Sequence, residues 1–205
     1  MLNGHALALI RDVFDRANLF HDAPCIRKRM VAWGPDSTPL ALDHSAVVVY
    51  EESLLKELKP SLTLQDSGAA PAWTVFASRP LPAPAEEQPF GSRMASAVAV
   101  NLRETSAPET CWIESLENGW LFLIPNAPGS AWLLAVGRAP AALLSASRVI
   151  QEQIAEAQAS ARPFPAYPRI VSPLAGDHWL ACGTAAMAFD PLCGDRTGRR
   201  SWLPQ

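Results

Sequence analysis

Thr110-Cys111-Trp112-Ile113-Glu114-Ser115, Trp120-Leu121-Phe122-Leu123-Ile124 and Ala131-Trp132-Leu133-Leu134-Ala135-Val136 are separated by the clusters Glu117-Asn118-Gly119 and Asn126-Ala127-Pro128-Gly129. β-Branched and aromatic residues suit a pleated surface, and Asn, Pro and Gly supply turn conformations. The spacing therefore predicts a three-stranded antiparallel meander. Met94–Asn101, in which Ala95, Ala97 and Ala99 alternate with Ser96, Val98 and Val100, adds a fourth strand. Downstream, Leu143, Ala146, Ile150, Ile154 and Ala157 recur at spacings of three and four, with Pro140 placed for a first helical turn. This pattern predicts a helix over 141–158 that covers one face of the sheet. The expected fold class is α+β, a mainly antiparallel sheet covered by helices.

Upstream, Leu7, Ile10, Phe14 and Ala17 share a helical face and Asn3 can cap it, which predicts a helix over 5–18. The run Ala46–Tyr50 predicts a buried strand over 45–50, followed by a short helical turn at Ser53–Leu58. From 60 to 90 the chain is rich in Pro, Ala, Ser and Glu, with one strand expected at Trp73–Ser78. Pro80, Pro82, Pro84 and Pro89 exclude a continuous helix or central strand, so this is read as an exposed connection ordered only in part. The end reads as a strand, Trp179–Cys182, then a Gly-containing turn and a segment of small residues. These readings divide the chain into an N-terminal helix and loop (1–44), the sheet with its helix (45–175) and a terminal strand and turn (176–205).

Composition narrows the function. With 49% hydrophobic and 18% charged residues in 205, the chain is globular rather than disordered. A net charge of -3 leaves no positive excess for a phosphate backbone, so nucleic acid is not an expected partner. No apolar run approaches the roughly 20 residues of a membrane span, and the start lacks a basic signal region; the expectation is a cytoplasmic protein with no membrane partner. Cys25, Cys111, Cys182 and Cys193 are widely spaced, and His5, His21, His44 and His178 are scattered, so no metal site is expected. Glu114 and Glu117 read as a strand end and a turn, and no nucleophile–base arrangement emerges. Of the tryptophans, Trp120 and Trp132 are placed near a pocket.

One stretch carries more: Trp179-Leu180-Ala181-Cys182-Gly183-Thr184-Ala185-Ala186-Met187-Ala188-Phe189-Asp190-Pro191-Leu192-Cys193-Gly194-Asp195-Arg196-Thr197-Gly198. On pattern alone it is a buried strand leading into an Ala-rich helix. It also resembles the second flavin-binding motif of FAD-dependent monooxygenases and the flavin-dependent halogenases related to them. Gly119-Trp120-Leu121-Phe122-Leu123-Ile124-Pro125 is similar to the Trp-x-Trp-x-Ile-Pro signature of the halogenase branch, with Phe122 at the second Trp. Arg29-Met30-Val31-Ala32-Trp33-Gly34 resembles the Trp-Gly segment preceding the substrate sheet. The resemblance implies the substrate-binding half of a two-domain FAD-dependent monooxygenase fold. It implies FAD as cofactor, held along Gly183, Thr184, Asp190, Pro191, Gly194, Thr197 and Gly198, and a small-molecule substrate beside Trp120, Phe122 and Pro125.

The departures from that pattern are specific. No Gly-x-Gly-x-x-Gly is present to set a pyrophosphate on a helix N-terminus. Thr184 stands where the family has a ribityl-binding Asp, and Arg196 where a glycine is usual, so tight binding of FAD by this chain alone is not expected. The lysine and glutamate of halogenase chemistry have no counterpart in register, which leaves the catalytic residues unknown. Two functions follow from the resemblance. One is an oxidoreductase fragment whose sheet and Gly-rich loop flank a flavin, with a separate protein partner supplying the ADP-binding half. The other is a non-catalytic remnant, truncated or frameshifted, that binds a complete flavoprotein. An unrelated α+β domain stands beside both.

Overall fold

The computed structural model describes residues 1–34, 38–61, 72–81, 83–158 and 162–191. The chain forms two compact units, one drawn from Met1–Leu62 and Ala95–Phe164, the other from Thr63–Met94 and Pro165–Gly194.

The first unit is built on one large sheet, in the order Leu2–Asn3, Leu40–Val47, Cys25–Ala32, Thr110–Leu116, Gly119–Ala127, Ser130–Val136, Met94–Leu102, Ile154–Ala157. The meander and its fourth strand stand where the alternation places them, with Phe122 opposite Ile113 and Leu134, and Leu134 opposite Ala97. Neighbours along this order pair antiparallel except Cys25–Ala32 with Thr110–Leu116, a parallel pair. Gly137 sits at φ +106, and a Cβ there would lie 2.5 Å from the Asn118 carbonyl oxygen and 3.0 Å from the Gly119 Cα. Only glycine lets these two backbones approach so closely.

Leu121, Leu123, Leu133, Ala135, Val98 and Val100 project from one face of this sheet into a cluster with Leu143, Ile150 and Ile154. Each such large side chain contributes about 1.5–3 kcal/mol on burial. The helix above them is shorter than its periodicity predicts: it runs Pro140–Ala146, and Ile154–Ala157 is a strand paired with Met94–Leu102. The cause is Glu114. This residue lies inside its strand rather than at the end, is 1% exposed, and accepts hydrogen bonds from Ser147 Oγ (2.5 Å), Arg148 N (2.7 Å) and Ile150 N (3.1 Å). A helix through 148–150 would commit those amides to its own carbonyls.

Other boundaries also move. The first helix is Gly4–Val13, capped by Asn3 Oδ1 accepting from Ala6 N at 2.8 Å. It stops short of 18 because Asp15 takes φ +50 and Arg11 turns back to donate to the Leu19 carbonyl oxygen. The strand expected over 45–50 is Leu40–Val47, and the following helix is Glu51–Leu58.

In the second unit, Thr74–Phe76 pairs parallel with Trp179–Ala181, which pairs antiparallel with Ala175–Gly176. Glu86–Pro89 is a strand within the stretch read as a connection. It pairs with Arg169–Ser172 at a sheet edge, where proline is tolerated. Trp179, Ala181, Ala185 and Ala186 cluster with Phe76, Leu81 and Ala85. Among the described residues no helix is long and apolar enough to cross a membrane.

Candidate functional site

Strand alternation leaves the large sheet with a second face, opposite the cluster under Pro140–Ala146. Across it run registered rows. One is Leu40, Val31, Ile113, Phe122, Leu134 and Ala97. The next holds Leu42, Arg29 and Cys111 on one side and Ile124, Trp132 and Ala99 on the other. Beyond Phe122, Trp120 stands between Ser115 and Val136. Ile113, Phe122 and Trp120 are buried, whereas Leu40 (60%), Leu42 (41%) and Trp132 (39%) are exposed. Trp120 and Phe122 thus share one face. Pro125, five residues on from Trp120, falls on the other, opposite Ala131 of the core cluster.

The Trp120 side chain carries an unresolved polar group. It is 4% exposed, and its Nε1–H has no hydrogen-bond partner among the described residues. A buried donor left unpaired costs about 1–3 kcal/mol.

Arg29 is the second such residue on this face, and sequence reasoning passed over it. Its Nε is buried and has no partner among the described residues, while Nη2 lies 3.2 Å from His44 Nε2 and the guanidinium adjoins the Cys111 thiol. Burial pushes the Cys111 thiol pKa up, with the nearby Arg29 charge and hydrogen bond acting against it. Among the described residues no carboxylate lies within ion-pair distance of Arg29. The available signal was phase: in Cys25–Ala32, Arg29 sits two residues before Val31, on the face that the meander fills with apolar side chains.

In the second unit the flavin-like turn has committed much of its polar capacity internally. The helix after Trp179–Ala181 is one turn, Gly183–Ala186, and Gly183 adopts φ +53. Thr184 Oγ1 donates to the Ala77 carbonyl oxygen at 3.1 Å, and the Thr184 carbonyl accepts from Arg169 Nη2 at 2.9 Å. The amides of Ala185 and Ala186 bond to Ala77 and Cys182 carbonyls. The Asp190 carboxylate is held by Arg93 at 2.9 Å, and Pro191 follows it. Gly194, Thr197 and Gly198, with Arg196 and Cys193, lie outside the described residues. The Thr184 hydroxyl, the Ala185 and Ala186 amides and the Asp190 carboxylate are thus bonded within the unit, and they do not fit FAD as a site in themselves.

No protein-family profile and no curated protein matches the sequence. Solved structures do. The myxobacterial chondrochloren halogenase, a FAD-dependent halogenase, superposes with TM-score 0.74 at 16% identity, covering 94% of this chain and 60% of its own. The fold is that of the flavin-dependent halogenases. A flavin-dependent brominase has TM-score 0.65 at 14% identity, over 94% of this chain and 64% of its own. A peptidyl tryptophan dihydroxylase essential for tryptophylquinone cofactor biogenesis has TM-score 0.66 at 18% identity, over 95% and 53%. The same halogenase-like fold extends to a flavoprotein/dehydrogenase from Cytophaga hutchinsonii, at TM-score 0.64. The chain therefore spans less than two thirds of the length of these proteins, and it shares with them an α+β fold of one large sheet with short helices.

Proposed function

We propose that this chain is the substrate-domain portion of a FAD-dependent oxidoreductase of the monooxygenase and halogenase type. In this reading the second sheet face, which carries Trp120 and Phe122, belongs to the substrate side, and the Gly183–Pro191 segment belongs to the flavin side. The observation that carries it is the halogenase-like fold over 94% of the chain, with Trp120 and Phe122 on one face of its sheet. An aromatic wall suits a planar molecule, and an indole N–H uncovered by local opening can orient it. Because the Gly183–Ala186 turn is bonded internally, the chain does not hold FAD tightly by itself, and a separate polypeptide supplies the ADP-binding half.

The test follows the Trp120 indole N–H resonance, assigned with Trp120→Phe, while planar ligands with and without a hydrogen-bond acceptor are titrated. A shift produced only by acceptor-bearing ligands supports the reading; a resonance that none of them moves overturns it. In parallel, FAD titrated alone is expected to bind more weakly than about 1 mM, equivalent to about -4 kcal/mol. Micromolar binding would refute the requirement for a partner. A binding module for a complete flavoprotein is the second reading, favoured by the exposure of Leu40, Leu42 and Trp132 on the same face.

A further inference from the structure

We draw no further inference here: the strongest candidate, the exposed apolar patch of Trp73, Val75 and Leu180 on the small sheet that pairs Thr74–Phe76 with Trp179–Ala181, carries nothing because no feature among the described residues shows what covers it.

Discussion

Replacing Glu114 by Gln should destabilise the first unit far more than a surface carboxylate substitution does. The carboxylate is 1% exposed and takes short hydrogen bonds from Ser147 Oγ, Arg148 N and Ile150 N, with Val149 N at 3.4 Å. All these neighbours donate. A glutamine retains one accepting oxygen but points an NH2 group at donors, so about two charge-assisted bonds are lost at about 1.5 kcal/mol each, or about 3 kcal/mol. In urea unfolding followed by tryptophan fluorescence, with a slope of about 2 kcal/mol/M, the midpoint should fall by about 1.5 M. Glu117→Gln, at an exposed turn position, serves as the control and should stay within about 0.5 kcal/mol. A loss below about 1 kcal/mol for Glu114→Gln would refute the argument that this carboxylate ends the helix at Ala146.

Two further outcomes are expected. Burial raises the Cys111 pKa above its ordinary value of 9.0, so its contribution to stability is complete below that value and is lost as pH rises through the folded-state pKa. Thermal unfolding between pH 8 and 11 should show that alkaline loss, and Cys111→Ala should flatten it; an unchanged slope would count against the buried neutral thiol. Gly137→Ala places a methyl group against the Asn118 carbonyl oxygen at positive φ, and should cost about 2 kcal/mol or more in denaturant midpoint. A neutral result would mean that the two turns can separate.

The sheet was legible because its information is local. The 110–136 runs alternate with period two, and each break contains a glycine, which fixes register without reference to the rest of the chain. The 141–158 helix misled because Leu143, Ile150 and Ile154 are buried as their spacing requires, and both a helix and a helix–turn–strand can deliver them to one face. What separates the alternatives is the hydrogen bonding of 148–150, decided by a carboxylate more than thirty residues earlier. Glu86–Pro89 was hidden by its proline, a residue that weakens a strand assignment but is compatible with an edge. In the candidate site, Trp120 and Phe122 were singled out by the resemblance to the halogenase signature, and strand alternation puts both on one face. Arg29 was not, since its meaning lies in an unserved Nε that no pattern of letters displays. The turn after Trp179 looked open to a ligand until its hydroxyl and amides were traced to Ala77 and Cys182.

The parallel pairing of Cys25–Ala32 with Thr110–Leu116 has a cost in time. Val31 must find Ile113 across a long intervening chain, and closing so large a loop is entropically slow, whereas the 110–136 meander needs only tight turns. During synthesis at about 5–20 residues per second, the hairpin of Cys25–Ala32 and Leu40–Val47 emerges several seconds before the strand that covers its inner edge. Through that interval it presents unpaired backbone groups to any neighbouring strand. Nascent-chain association, rather than final stability, is therefore where this topology is most vulnerable, and slower translation before Thr110 would lengthen the exposure.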